Sequence, residues 1–494
     1  MIARPEGPHR FFCGSNATGR STERRQLSPE FPEETYCYYC ERTYMTTNSV
    51  PFKLFQPYNL MASLLISISL AVPVLGLAGI SVADGGLYLV LFPGLLCIGF
   101  FMMAAQRALS KPAGIDNQGV FQSSVTGRGM AGILLGVVIT GLYVVIYFGD
   151  RISLGDGTLH LFFQQRLYSY FDPISQWLRN SPADNWFFYS FMYTLAVFVF
   201  GVRMILKHRH SPYQIIRTLS VVVVQTGFGF FIPYLLVAFQ KPEFYFSYFW
   251  PLKPEYLYPA KWPDLASGAF STFFSGEAEL FTYFLVFGAF MTFVATPVLT
   301  YFFGKRWYCS WVCGCGGLAN TAGDPFRQLS DKSLKAWKIE RWTIHSILVV
   351  IVIITGILWM NSITEGKFLP QWGASLQTAY TFYIGLIFSG VVGVGFYPLL
   401  GTRVWCRFGC PMAAILGIIQ KFFSRFRITT NGGQCISCGN CSTYCEMGID
   451  VRWYAQRGQN IVRASCVGCG MCSAVCPRGV LNLENGIVTA RVPS

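Results

Sequence analysis

Eight long apolar runs decide what this chain can fold into. Each is long enough to cross a bilayer as a helix. Only 13% of the 494 residues are charged, which is too few for one soluble domain of this length. We therefore predict an α-helical polytopic membrane protein with about eight transmembrane helices. The runs cover about residues 60–82, 86–107, 130–149, 186–206, 218–238, 279–303, 342–361 and 377–400.

Positive charge is concentrated on one side of these runs. If the N-terminus is inside, the inside segments carry 31 of the 38 lysines and arginines and the outside loops carry 7. Such an asymmetry follows the positive-inside rule, so we expect the bacterial inner (cytoplasmic) membrane with both termini in the cytoplasm. The net charge of +14 then reflects topology, and a nucleic-acid partner is not expected. The inside segments are 1–58, 101–129, 203–217, 304–341 and 401–494.

The C-terminal segment carries the strongest chemical signal. Of 17 cysteines, eight lie in the runs CISCGNCSTYC and CVGCGMCSAVCP. Both follow C-x2-C-x2-C-x3-C, the spacing of two-cluster bacterial ferredoxins, in which the fourth cysteine of each run ligates the other [4Fe–4S] cluster. The presence of two full four-cysteine runs disfavours zinc as the bound metal. In the first run, Glu446 replaces the proline that usually follows the last cysteine. We predict a small α+β dicluster ferredoxin-like domain with two ligand sets. The first tail site is Cys435, Cys438, Cys441 and Cys476, and the second tail site is Cys466, Cys469, Cys472 and Cys445.

A second cysteine pattern occurs twice, directly after apolar runs. GKRWYCSWVCG (304–314) and GTRVWCRFGCP (401–411) both read G-x-R-x-aromatic-C-x3-C, about 97 residues apart, which indicates an internal repeat. Positions i and i+4 share a helix face, so each pair is expected at the start of a helix. The C-x3-C site, formed by Cys309, Cys313, Cys406 and Cys410, would hold a third Fe–S cluster or a copper or zinc ion; otherwise these are buried thiols.

Each of these loops also carries an arginine. Arg306 and Arg403 would lower thiol pKa values or stabilise an anionic site, or else anchor the loop at the membrane surface.

These motifs together resemble the NapH-, NosR- and CcoG-type membrane polyferredoxins over about residues 279–480. The resemblance implies electron transfer between the quinone pool and redox partners, or a role in metal-centre assembly. The chain departs from that pattern at Cys315, since the first loop reads C-x3-C-G-C where the family has C-x3-C-P. This additional thiol would be a metal ligand, a resolving thiol or simply a small residue. The large flavin domain of NosR-like proteins and a counterpart for the first 278 residues are missing.

Two weaker patterns lie elsewhere. Cys37 and Cys40 form a C-x2-C pair that would join a zinc or cluster site, act as a redox pair, or stay unligated. Residues 264–272 (DLASGAFST) resemble a signal for covalent FMN attachment, but Phe270 takes the place of the threonine, so FMN is not expected.

The sequence therefore predicts a membrane-bound iron–sulfur electron-transfer protein. Electrons would pass between the quinone pool or a partner membrane complex and a redox partner. It would be a carrier subunit of an oxidoreductase complex, without catalytic residues of its own. The alternative is an assembly factor that binds or reduces copper or another metal for a respiratory oxidase or reductase. The expected organisation is 1–58 cytoplasmic, 59–303 with six spans, 304–341 the first C-x3-C loop, 342–400 with two spans, 401–427 the second C-x3-C segment and 428–494 the ferredoxin domain.

Overall fold

The computed structural model describes residues 56–80, 84–110, 113–114, 125–154, 157–262, 279–365 and 367–486. Within these ranges, eight helices are long and apolar enough to cross a membrane. They coincide with the eight predicted runs, which confirms the polytopic α-helical fold. In chain order, the first to eighth spans are Pro57–Leu77, Gly85–Ser110, Met130–Arg151, Asn185–Lys207, Pro212–Ala238, Leu280–Phe303, Leu334–Ile363 and Trp372–Gly395.

The seventh span begins earlier than its apolar run. Ser333 caps it, because its hydroxyl accepts a hydrogen bond from the Ala336 N–H at 3.1 Å. The first turns carry Lys335, Lys338 and Arg341, which continue the helix beyond the apolar part. Residues 334–341, predicted as loop, are therefore helical.

Short elements connect the spans on the side that carries the cysteine loops. Between the sixth and seventh spans lie Arg306–Cys309, Gly314–Asn320 and the 3-10 turn Asp324–Leu329. After the eighth span come Tyr397–Leu400, the π-helical turn Trp405–Gly409 and the helix Pro411–Phe422. On the other side, the third and fourth spans are joined mainly by the helices Leu159–Arg166 and Asp172–Arg179.

The C-terminal domain is small and of the α+β type, as predicted. The strands Phe426–Thr430 and Leu481–Asn485 pair antiparallel, with Ile428 opposite Leu483. Three short helices lie between them: Asn440–Thr443, Val451–Gln456 and Met471–Ala474.

One hydrophobic core joins this domain to the membrane part. It contains Ile461 and Leu481 of the domain, Leu416 of the helix Pro411–Phe422 and Tyr308 of the first C-x3-C loop, all at most 2% exposed. The ferredoxin domain is thus packed against both cysteine loops.

Candidate metal centres

The eight tail cysteines line two separate cavities. All four thiols of the first tail site line one cavity. Those of the second tail site line another. The two groups are the ones predicted from the crossed pattern of the runs. Thiolates are the protein ligands of [4Fe–4S] clusters, so the donor set at each cavity fits such a cluster.

Matching turns place the third cysteine of each run. Gly439 and Gly470 both have positive φ, +79° and +70°, a conformation that favours glycine. Each precedes a short helix that carries Cys441 or Cys472.

The two tail sites differ in burial. Cys438 of the first tail site is exposed, whereas every thiol of the second tail site is buried or half-buried; Cys441 of the first tail site is also buried. Burial raises the pKa of Cys466 to about 12 and that of Cys445 to about 11. Loading such thiols with metal therefore releases protons.

The loop that carries the second tail site lies directly on the membrane part. Ser310 of the first C-x3-C loop donates to the Val467 carbonyl at 2.6 Å, and Tyr213 of the fifth span donates to the Gly468 carbonyl at 2.7 Å. Gln420 donates to the Cys466 carbonyl at 2.7 Å. These bonds fix the second tail site beside the first C-x3-C loop.

The local structure of the C-x3-C loops differs from the expectation. Neither pair lies at the start of one helix. Cys309 ends the turn Arg306–Cys309 and Cys313 precedes the helix Gly314–Asn320, while Cys406 lies in a π-helical turn and Cys410 precedes the helix Pro411–Phe422. Pro411 explains the break in the second loop, because a residue before proline avoids the helical conformation.

Both loops begin with a glycine that no other residue replaces easily. Gly304 and Gly401 have φ of +67° and +88°. A Cβ on Gly401 would lie 2.6 Å from the Ser330 hydroxyl, and one on Gly304 would lie 2.7 Å from Phe426. The shared G-x-R pattern therefore marks the same backbone turn after the helices Thr296–Phe303 and Tyr397–Leu400.

The four thiols of the C-x3-C site come together although the loops are distant in sequence. All four are buried, at 4–6% exposed. Burial raises the pKa of Cys410 well above its usual range, and the neighbouring thiols of Cys406, Cys309 and Cys313 raise it further. Cys315 lies beside Cys313, and the interaction of the two thiols is the largest cause of the lowering of the Cys313 pKa to about 7; it also raises the pKa of Cys315. Across the described ranges, no three cysteine, histidine or carboxylate side chains form a set that could hold a single metal ion.

The two loop arginines have different surroundings. The Arg403 Nη1 lies 3.6 Å from the Cys406 sulfur and donates to the Cys309 carbonyl at 3.2 Å. Arg306 instead packs over the ring of Phe426, 4.7 Å from its centroid. The buried cation of the first loop is Lys305, which is 1% exposed and opposes the effect of burial on the Cys309 pKa, itself raised to about 12.

A buried charged network surrounds these sites, and sequence patterns did not reveal it. Glu446 accepts from Arg327 at 2.7 Å and from Arg403 at 2.8 Å. Arg327 also pairs with Asp324 at 2.9 Å, and Arg217 donates to the Cys469 carbonyl at 3.0 Å. Three buried arginines thus face two buried carboxylates.

Some buried donors in this network lack an acceptor. Arg217 Nε and Nη2 and Arg403 Nε have no hydrogen-bond partner in the part of the chain that the structure describes. Buried N–H groups without acceptors are costly. Because clusters held by thiolates are anionic, they suit this excess of cations and donors.

Tyrosines approach the C-x3-C site from the membrane. Tyr193 Oη lies 2.9 Å from the Gly314 carbonyl oxygen and 3.1 Å from Gln225 Oε1. The Tyr189 ring packs against those of Tyr143 and Tyr147, with centroids 5.8 Å and 6.2 Å apart. These tyrosines were not predicted. The spacing of four residues between Tyr143 and Tyr147, and between Tyr189 and Tyr193, is the sequence pattern that could have indicated the two faces.

The weaker predicted sites cannot be placed. Cys37 and Cys40 and the stretch 264–272 lie outside the described residues.

Comparison with known families agrees with both kinds of site. A model described as a 4Fe-4S dicluster domain matches residues 434–481, which contain both tail sites. A model described as a 4Fe-4S binding domain matches twice, at 286–333 and 381–429. These two matches cover the two C-x3-C loops and confirm the internal repeat. No solved structure matches the chain.

Similar curated proteins carry related names. YccM of Escherichia coli (strain K12), named as an electron transport protein, is 25% identical over 154 residues, 30% of this chain and 43% of the relative. The methylamine utilization ferredoxin-type protein MauN of Methylobacillus flagellatus is 27% identical over 149 residues, 29% of this chain and 50% of the relative. The chain spans about half the length of the curated relatives that it matches.

Proposed function

We propose that the chain is a membrane protein of the polyferredoxin type and that it carries electrons through three [4Fe–4S] clusters. One cluster occupies each tail site, with the ligands assigned above. The third occupies the C-x3-C site, held by Cys309, Cys313, Cys406 and Cys410. A cluster suits this site because the model that matches both C-x3-C loops is described as a 4Fe-4S binding domain, and thiolates are the protein ligands of such clusters.

The proposed path of the electrons rests on which sites lie next to one another. The loop of the second tail site is hydrogen-bonded to the first C-x3-C loop through Ser310 and Val467. The first tail site lies at the other end, where Cys438 is exposed. Electrons would therefore pass between the C-x3-C site, the second tail site and the first tail site in that sequence, in either direction.

The membrane end of this path would exchange electrons with the quinone pool or with a partner membrane complex. The C-x3-C site follows the ends of two spans, and the uneven distribution of lysine and arginine supports a cytoplasmic position for it. We place the protein in the bacterial cytoplasmic membrane as a carrier subunit of an oxidoreductase complex.

The exposed end would meet a redox partner with acidic surface groups. Arg452 and Arg478 line the cavity of the first tail site and are exposed, and none of the lining residues is acidic. Ile436, 48% exposed, adds an apolar contact at the same cavity. A positive surface around an exposed cluster steers the encounter with a negatively charged carrier.

Iron and acid-labile sulfide per chain, with EPR, test the number of clusters on anaerobically purified protein. We expect about twelve irons, from four in each cube. About eight irons would contradict a third cluster and leave only the tail sites loaded.

One observation favours a second function. The interaction of Cys315 with Cys313 places an additional thiol at the C-x3-C site, and thiolates select soft metals such as Cu(I). An assembly factor that binds or reduces copper for an oxidase or reductase would use this thiol. It predicts copper in the purified protein at about one ion per chain, lost in Cys315→Ala, and oxidase maturation that fails without the protein.

A further inference from the structure

Glu446 occupies the position at which the two tail runs differ. Pro477 follows the last cysteine of the second run, whereas Glu446 follows Cys445. Its carboxylate is fully buried and has an arginine on each oxygen, Arg403 on Oε1 and Arg327 on Oε2. Since a buried carboxylate is costly unless it is paired, these two contacts are what make it tolerable here.

The first contact leads to the C-x3-C site. The same Arg403 guanidinium that donates to Glu446 at 2.8 Å also contacts the Cys406 sulfur and the Cys309 carbonyl. Cys406 and Cys309 come from different loops. By holding Arg403, Glu446 therefore fixes a cation against both halves of that site.

The second contact leads back to the second tail site. Arg327 donates to Asn320 Oδ1 at 3.1 Å, and this oxygen also accepts from Arg217 at 3.0 Å. Arg217 donates in turn to the Cys469 carbonyl. Glu446 is thus joined to the second tail site both through the backbone of Cys445 and through this chain of side chains.

We propose that Glu446 is a positioning residue shared by the second tail site and the C-x3-C site, and that it sets the reduction potentials of both clusters together. The inference rests on the proposed function for the presence of a cluster at each site. Charges in a buried environment act strongly on one another because little solvent screens them. A carboxylate between two anionic clusters opposes the addition of an electron to either, while the arginines that it holds favour it.

The test is an EPR redox titration of the full-length protein and of Glu446→Gln, both purified anaerobically. Loss of the negative charge is expected to leave iron and sulfide at the wild-type value and to move the midpoint potentials of both clusters in the positive direction. Glu484→Gln, on the second strand of the same domain, is the matched control and should move neither. If the Gln variant moves neither potential, or only one of them, the proposal is wrong.

A second variant separates charge from packing. Arg327 hydrogen-bonds to Asp324, Asn320 and Glu446, and none of these is a proposed ligand. Arg327→Gln removes a positive charge from the same network, so both potentials should move in the negative direction. A packing defect does not reverse sign between the two variants, and a shift of Arg327→Gln in the positive direction would overturn the proposal even if Glu446→Gln failed to load iron. Failure of the proposed function is read separately, from fewer than three clusters in the unmutated protein.

Discussion

At the scale of single residues, exposure distinguishes the thiols of the two tail sites. Cys438 is exposed at the mouth of the first cavity. Cys438→Ala is expected to lose about four irons, because one corner of a cube loses its thiolate, while the EPR signal of the second tail site persists. Iron analysis and EPR measure this. Cys97→Ala, a free thiol in the second span, is the control and should keep all of its iron; equal iron in the two variants would exclude Cys438 as a ligand.

Gly401 allows a second test at the residue scale. Alanine there would have to adopt φ near +88° with its Cβ 2.8 Å from the Ser330 backbone nitrogen. We expect Gly401→Ala to destabilise the protein by roughly 1–3 kcal/mol and to lower iron at the C-x3-C site. Thermal unfolding in detergent and iron content measure the two effects. Gly356→Ala is the control: its Cβ meets no atom within 4 Å in a helix, so stability should be unchanged or slightly higher. Similar losses in both variants would argue against a special role for the turn.

At the scale of elements, the sequence predicted those features that depend on residues close together in the chain. Apolar runs gave the eight spans, and cysteine spacing gave the groups around the two tail cavities. The helix start expected at each C-x3-C pair was wrong. Cys309 ends one short helix and Cys313 precedes the next, and in the second loop Pro411 keeps Cys410 out of the helical conformation. The contacts of Glu446 could not be read from sequence, since Arg403 and Arg327 lie 43 and 119 positions away. Only packing of the ferredoxin domain on the loops brings these residues together.

That packing depends strongly on the helix Pro411–Phe422. Gln420 on this helix accepts from the Lys305 N–H at 2.6 Å and donates to the Arg463 and Cys466 carbonyls at 2.8 and 2.7 Å. Gln420→Leu would leave these buried groups unpaired, so we expect a loss of roughly 2–4 kcal/mol and easier proteolytic release of the ferredoxin domain. Gln456→Leu is the control, because Gln456 is exposed and makes one hydrogen bond, to Ser437; its effect should stay within about 0.5 kcal/mol. Equal proteolysis of the two variants would contradict this role of Gln420.

At the scale of the whole molecule, charge and exposure change along the proposed path. Beside the membrane, buried cations and the tyrosines of the third and fourth spans enclose the C-x3-C site. The loop of the second tail site is hydrogen-bonded to the first C-x3-C loop. The first tail site opens to solvent between Arg452 and Arg478. A path that is shielded at one end and open at the other restricts exchange with soluble carriers to the first tail site.

This arrangement predicts that a soluble acidic carrier reacts at the first tail site in a salt-dependent manner. Arg452→Glu combined with Arg478→Glu should slow the second-order reduction of the clusters by a reduced acidic ferredoxin about tenfold at low ionic strength. The difference should shrink as salt screens exposed charges, with a Debye length of about 3 Å at 1 M. Stopped-flow bleaching of the cluster absorbance measures the rate. Lys261→Glu, an exposed charge in the loop between the fifth and sixth spans, is the matched control and should leave the rate unchanged. Rates of the double variant and the wild type that agree at every salt concentration would mean that the carrier approaches the protein elsewhere.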